Sequence, residues 1–229
     1  MLKPFEKLPK EFQNDEVKYY YDILNKKRFS LFVKRLADII LSLIMIVILA
    51  LPMLVIALLI KFGSEGPVFY RQERVTKYGE KFMILKFRTM RVGSDKASLI
   101  TTANDNRITG VGKLLRKLRL DELPQIFHVL SGKMSIVGTR PEVTKYVDQY
   151  TNSMYATLLM PAGVTSLASI KYKDEDSIIG QVTDMSKIDD VYMNEILPSK
   201  MEYNLKYIED FSFFFDISLM FKTVLQVIF

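Results

Sequence analysis

From Ile39 to Ile60 the chain reads IILSLIMIVILALPMLVIALLI, a run without a charged residue, interrupted only by Ser42 and Pro52. At ~1.5 Å per helical residue, about 22 residues reach across the ~30 Å hydrocarbon layer of a bilayer. A helix of a soluble protein is rarely apolar all round over that length. A cleaved leader would begin earlier and be shorter. The run therefore predicts a segment that enters a membrane, and two modes of entry stay open. A straight single-pass helix is the simpler. Against it stands Pro52, which removes a backbone hydrogen bond and crowds the preceding turn. Against it also stand basic residues on both sides: Lys26, Lys27, Arg28, Lys34 and Arg35 before the run, Lys61, Arg71 and Arg74 after it. Positive flanks stay on the cytoplasmic face, so a helix–break–helix hairpin that enters and leaves by one leaflet satisfies both. Its broken turn needs backbone partners that lipid does not offer, and Ser42 lies too far from Pro52 to be one.

Composition narrows the chemistry. Over 229 residues, 32 Lys and Arg stand against 26 Asp and Glu, a net charge of +6. That balance suits an anionic partner: nucleic acid, a phospholipid surface or a phosphorylated substrate. The chain has no cysteine, which excludes a disulfide framework, iron–sulfur clusters and thiolate zinc sites. Its one histidine, His128, excludes a histidine-rich metal site. Any metal should be a hard cation, Mg²⁺ (or Mn²⁺), held by carboxylates and substrate oxygens.

Outside the apolar run the pattern is that of an α/β chain, mostly helical with a small β element. Residues 1–30 are polar and aromatic and read as an arm or surface helix. VFYRQERVTKYGEKFMILKFRTM alternates like two strands around a turn at Lys77–Gly79. The polar stretch from Ser94 to Asn106 reads as a loop. Gly112 to Leu120 carries Leu114, Leu115 and Leu118 at helical spacing among Lys113, Arg116, Lys117 and Arg119. A short helix should follow Pro124, and a strand, SIVGTRP, should follow Gly132. Longer helices are expected from Glu142 to about Leu159 and from Asp189 to about Glu209, the second broken near Pro198. The end, FSFFFDISLMFKTVLQVIF, is apolar but interrupted by Asp216 and Lys222. That pattern fits an interfacial helix, lying along the membrane or packed on the first hairpin, better than a second span.

The usual nucleotide signatures are missing. Gly110-Val111-Gly112 lacks the third glycine of a dinucleotide fingerprint, and Gly132-Lys133 lacks the rest of a Walker loop. The most informative stretch is Arg119-Leu120-Asp121-Glu122-Leu123-Pro124-Gln125. Pro124 suits the first turn of a helix, so Asp121 and Glu122 lie at or just before a helix N-terminus. Simple capping against the helix dipole is one reading. The other is an anion site at a helix start flanked by Arg and Lys. Two carboxylates in such a place are costly unless a metal or catalysis needs them. Neighbours in a helix diverge by about 100°, so the two would act unequally: one reacts, the other holds a metal or a proton.

These pieces, taken in order, resemble the bacterial sugar transferase family, the monotopic phosphoglycosyl transferases. The resemblance is carried by KRLADIILSLIMIVILALPMLVIALLIK, GPVFYRQERV, FMILKFRTM, DNRITGVGKLLRKLRLDELPQIFHVLSGKMSIVGTRPE and PAGVTSLASIKYKDE, from roughly Phe32 onward. It implies four segments: a polar arm (1–30), a re-entrant membrane helix broken at Pro52 (31–62), a cytoplasmic catalytic domain (63–210) and a C-terminal interfacial helix (211–229). It implies a transferase that moves a sugar 1-phosphate from a nucleotide diphosphate sugar, expected to be a UDP-sugar, to a polyprenol phosphate, with release of the nucleoside monophosphate. Asp121 maps to the nucleophile and Glu122 to its partner, both as ligands of Mg²⁺. Lys86 and Arg88 in KFRTM, Arg140 and Pro141 in GTRP, and Lys173 map to the donor site. The implied partners are the donor, the polyprenol phosphate acceptor, the bilayer and a second copy in a homodimer, with no nucleic acid. The implied location is the cytoplasmic face of a bacterial inner membrane.

The sequence departs from the family pattern at Thr139 in GTRP, at Lys133 in GKMS and at His128, where Asn is common. It departs most in LASIKYKD, Leu167 to Asp174. The physical logic is that of phosphoryl transfer: cations neutralise the pyrophosphate before a carboxylate attacks it. The rival is a non-catalytic, membrane-anchored basic module that binds anionic lipid or a protein partner. It accounts for the apolar run and the charge, but not for Asp121-Glu122.

Overall fold

The computed structural model describes residues 2–94, 106–172 and 188–228. The expected loop at Ser94–Asn106 lies almost wholly outside the described residues. Helix α1 (Asp15–Lys26) starts where the Asn14 side chain accepts the Val17 N–H, with Asp15 and Glu16 in the first turn. The 36-residue helix α2 (Arg28–Gly63) follows almost without a joint. Strands β1 (Phe69–Val75) and β2 (Lys81–Phe87) form the expected antiparallel pair around a 3₁₀ turn at Lys77–Gly79. Then come α3 (Gly110–Lys117), a 3₁₀ turn at Leu120–Gln125, α4 (Ile126–Ser131) and β3 (Met134–Val137). Strand β4 (Ala162–Thr165) pairs parallel to β3 after a crossover that contains α5 (Thr144–Val147) and a 3₁₀ segment, Ser153–Leu159. The rest is α6 (Leu167–Lys171), α7 (Ile188–Val191), a π turn at Tyr192–Ile196, α8 (Leu197–Asp210) and α9 (Phe213–Ile228).

The fold corrects four expectations. First, the N-terminal residues are not an arm. Val17, Tyr21 and Leu24 fall on one face of α1 and, with Leu2, Leu8 and Phe12, are buried in the largest core cluster beside Leu159, Leu197 and Met201. Second, α2 stays helical through Pro52, so the expected break does not split it in two. The proline removes one bond to the Ile48 carbonyl, while the turns on either side keep their own. Ser42 donates to the Ile39 carbonyl at 3.0 Å and takes no part at Pro52.

Third, the helix expected from Glu142 to Leu159 is two short pieces. Thr151 and Asn152 lie between them, residues whose side chains compete for backbone groups. Fourth, the second long helix is not broken at Pro198 but widened into the π turn just before it. Pro198 has no N–H for the Asn194 carbonyl, and a wider turn accommodates that loss.

α2 is long and apolar enough to cross a membrane, and only 11% of its most apolar window is buried. One face nevertheless packs on the globular body along its whole length. Lys34, Asp38 and Ser42 are buried toward the start, Ile46 is half-buried in the middle, and Ile56 and Ile60 are buried toward the end. The polar contacts gather in the first half. Lys34 Nζ donates to Asp216 Oδ2 at 2.6 Å and to the Val137 carbonyl at 2.7 Å. Arg35 caps the end of α4 through the Val129 and Leu130 carbonyls. Asp38 accepts from Ser135 Oγ and Ile136 N. In the second half, Ile56 and Ile60 close over Phe87 and Leu115. α9 packs on α2, α6 and both strands of the parallel pair, and leaves Phe214, Phe221, Val224 and Leu225 exposed.

Candidate active site

α3 begins at the Thr109 side chain, which accepts the Gly112 N–H at 3.0 Å. A side chain at Gly112 would collide with the Thr89 carbonyl. The glycine-rich start thus serves close packing against β2's extension, not a nucleotide. The helix ends at Arg119, which takes a left-handed conformation, φ 55°, uncommon for a residue with a side chain. That turn delivers Asp121 and Glu122 into the 3₁₀ segment Leu120–Gln125, whose Pro124 and Gln125 are buried. α4 does follow Pro124 as expected, but it has six residues. A helix dipole is therefore a minor part of the local field, and side chains supply the rest.

Lys86 arrives by the two-residue period of β2, on the face that buries Phe82 and Ile84. Its Nζ donates to Glu122 Oε1 at 2.8 Å, with 21% and 12% of the two side chains exposed. His128 of α4 anchors the neighbouring residue, because its Nε2 accepts the Leu85 N–H at 3.1 Å. Arg140, just beyond β3, donates to Ser169 Oγ of α6 at 3.3 Å. The Pro141 carbonyl accepts from Arg74 Nη1 at 3.2 Å.

The two carboxyls are pushed apart. Burial alone would raise Glu122, but Lys86, Arg140 and Arg119 together outweigh it and hold the group down to about 2. Asp121 moves the other way: burial raises it, and the Glu122 charge adds to that against Lys86, Arg116 and Arg119. Asp121 is the more basic carboxylate, and so the one disposed to attack an electrophile, while Glu122 stays ionised beside its lysine. Four cations act on this pair. The excess of positive charge suits a ligand that carries more than one negative charge.

The structure thus brings Asp121, Glu122, Lys86 and Arg140 together, with Pro141 next along. It places Arg88 elsewhere: the side chain is buried, and its guanidinium donates to the Ser64 carbonyl and hydroxyl and to the Glu65 carbonyl. Arg88 ties the end of α2 to β2. Lys173 lies outside the described residues. Three cations had no expected role in the site. Arg116 and Arg119 read as the flank of an anion site without a role of their own, and Arg74 only as a basic flank. Arg74 is lowered, first by burial and then by Arg140, against the Glu142 charge. Its presence in GPVFYRQERV beside a buried loop is the only signal the sequence held.

Among the described residues no group of three or more Asp, Glu or His side chains gathers. Asp121 and Glu122 can offer one or two carboxylates. That number fits Mg²⁺ when substrate phosphates complete its octahedron, not an all-protein cage.

Residues 29–229 match the family model for bacterial sugar transferases. Over 202 residues the chain is 37% identical to the UDP-N-acetylgalactosamine-undecaprenyl-phosphate N-acetylgalactosaminephosphotransferase of Aeromonas hydrophila, covering 86% of this chain and 44% of that protein. It is 36% identical over 197 residues to the UDP-glucose:undecaprenyl-phosphate glucose-1-phosphate transferase of Klebsiella pneumoniae, covering 84% of this chain but 39% of the relative. It is 30% identical over 207 residues to the exopolysaccharide production protein ExoY of Rhizobium meliloti, covering 83% of each. The chain spans less than half the length of the first two and most of the third. The family model takes in α2, both strand pairs, the Asp121–Glu122 turn and α9 together, and the chain belongs to the bacterial sugar transferase family.

Proposed function

We propose that this chain transfers a sugar 1-phosphate from a UDP-sugar to a polyprenol phosphate, and that it does so from the cytoplasmic face of a bacterial inner membrane. The observation that carries the reading is a carboxylate pair with opposed basicities inside a four-cation cluster, on a body packed along a membrane-length helix. Relatives that bear UDP-sugar and undecaprenyl-phosphate names support the two substrates.

Lys86, Arg116, Arg119 and Arg140 lower the negative potential that would otherwise repel an anionic nucleophile from a pyrophosphate. An oxygen of Asp121 attacks the phosphorus that bears the sugar. The bond from that phosphorus to the bridging oxygen breaks, and the nucleoside monophosphate leaves with the electron pair. The acyl phosphate on Asp121 is then attacked at the same phosphorus by an oxygen of the polyprenol phosphate, which restores the carboxylate. Glu122, held ionised by Lys86, keeps that lysine oriented throughout. A bound Mg²⁺, on Asp121 or Glu122 and donor oxygens, would supply further charge neutralisation. Full turnover after exhaustive chelation would remove the metal from this account.

A monotopic placement, with both ends of α2 on one side of the bilayer, is supported by its packing. In an upright spanning helix one end would lie ~30 Å away, across the bilayer. Here Lys34 and Ile60, near opposite ends of the apolar run, both touch the same body. The placement puts Asp121 at headgroup depth, where an acceptor phosphate lies. The rival, a basic module without chemistry, leaves Asp121 and Glu122 unexplained. Incubation of the purified protein with undecaprenyl phosphate, Mg²⁺ and a panel of UDP-sugars should release uridine monophosphate from at least one donor. Release from none of them, in a preparation that is folded, would favour the rival.

A further inference from the structure

Glu142 follows the donor-site residues Arg140 and Pro141 directly, yet its side chain turns inward. It is 3% exposed. Tyr192 donates its hydroxyl to Glu142 Oε2 at 3.0 Å. Lys200 Nζ donates to the Tyr192 hydroxyl at 3.0 Å and stands 3.5 Å from Glu142 Oε1, with 1% of Lys200 exposed. The two helical residues are brought to one carboxylate by the π turn that begins at Tyr192, and Tyr192 is stacked on Tyr146 with ring centroids 4.5 Å apart. The backbone on either side of Glu142 is held as well: Val75 N–H donates to the Glu142 carbonyl at 2.9 Å, and Arg74 to the Pro141 carbonyl.

A buried ion pair is a poor device for stability alone, since apolar residues of the same volume commonly do as well. What this one adds is a carboxylate whose charge acts on Arg74 against the repulsion of Arg140, while Arg74 holds the Pro141 carbonyl of the same turn. Resting on the transferase reading, we propose that Glu142, clamped by Lys200 and Tyr192, is a positioning residue: it holds the Arg140–Pro141 turn so that Arg140 faces Glu122 and the donor's phosphates. Glu142 touches neither substrate nor reacting atoms and acts through Arg140.

The test uses the full chain in detergent with Mg²⁺, with uridine diphosphate as the calorimetric probe and monophosphate release as the kinetic one. Glu142→Gln removes the carboxylate charge beside the buried Lys200, so a drop in thermal midpoint by itself decides nothing. The double variant Glu142→Gln/Lys200→Met removes both charges and should regain most of the lost midpoint. In that refolded double variant, binding of uridine diphosphate should stay weakened about tenfold and donor KM should stay raised about tenfold, with kcat within about twofold. In an Arg140→Met background the Glu142→Gln change should cost little more, because the two act as one unit. Recovery of wild-type affinity in the double variant, or losses that simply add in the Arg140 background, would overturn the proposal while leaving the transferase reading intact. A wild-type protein that neither binds uridine diphosphate nor releases monophosphate would overturn both.

Discussion

Asp121 and Glu122 are adjacent, yet their surroundings push their basicities apart. Asp121→Asn keeps the shape and removes the proposed nucleophile, so monophosphate release should fall at least ~1,000-fold, about 4 kcal/mol in the barrier. Retention of a tenth of the rate would remove the nucleophile assignment. Lys86→Met leaves the half-buried Glu122 charge without its 2.8 Å partner, and kcat/KM should fall about 100-fold, near 2.7 kcal/mol. Arg88→Lys separates two readings of one residue. The structure commits Arg88 to Ser64 and Glu65, so the substitution should lower unfolding free energy by about 1–3 kcal/mol and leave donor KM unchanged. A raised donor KM with an unchanged thermal midpoint would return Arg88 to the donor site. The carboxylate turn was legible as a candidate because it is local, a motif of seven residues. Lys86 was legible through its own motif, and the strand period explains how it gets there. Arg74 was not, because its proximity to Arg140 depends on how β1 meets the loop after β3, which no local pattern encodes.

At the scale of elements, the apolar run predicted α2 correctly but misread its flanks. Lys34 and Arg35 read as topological charges, yet the structure spends them on Asp216 and on the end of α4. Pro52 marks a weak point that one lost hydrogen bond does not turn into a break. Topology is open to direct measurement because the native chain has no cysteine. Single cysteines at the exposed positions Lys26 and Lys61 should both be labelled from the cytoplasmic side only, whereas labelling from opposite sides would mean a spanning helix. Pro52→Leu restores one helix bond and leaves the packed face of α2 untouched, so both labels should stay on the cytoplasmic side; a shift of either label would mean that Pro52, and not packing, holds the topology. His128 gives a pH signature for the contact between α4 and β2. Burial first, then Lys133, lowers it below its ordinary 6.5, as suits an Nε2 that accepts the Leu85 N–H. A depressed histidine contributes stability that is fully present above its unfolded value and fades as pH falls below it toward the folded one. The urea midpoint of the wild type should therefore drop as pH is lowered from about 7 to 5, and His128→Asn, which can still accept, should drop less. Equal drops would mean that other groups set the dependence.

The whole molecule is more unified than its sequence segments. The first residues read as polar because α1 shows only one narrow apolar stripe, and three of its residues meet a core assembled from much later parts of the chain. Phe12→Ala should therefore cost about 3–5 kcal/mol, read by denaturant unfolding in detergent; a loss under about 0.5 kcal/mol would restore a merely superficial arm. Similarly, α9 was legible as an amphipathic end, but its Asp216 was not legible as the partner of Lys34 across 182 positions. That pairing closes the last helix onto the start of α2. The central claim is that the Asp121–Glu122 turn works in two halves, with Asp121 carrying the phosphosugar between them. Donor alone decides it. With no polyprenol phosphate present, wild-type protein mixed with its UDP-sugar and Mg²⁺ should release a burst of uridine monophosphate stoichiometric with enzyme and gain the mass of one phosphosugar, located on Asp121 and absent from Asp121→Asn. Monophosphate that appears only after acceptor is added, with no mass gain at any time, would mean direct transfer between two bound substrates and would contradict the account.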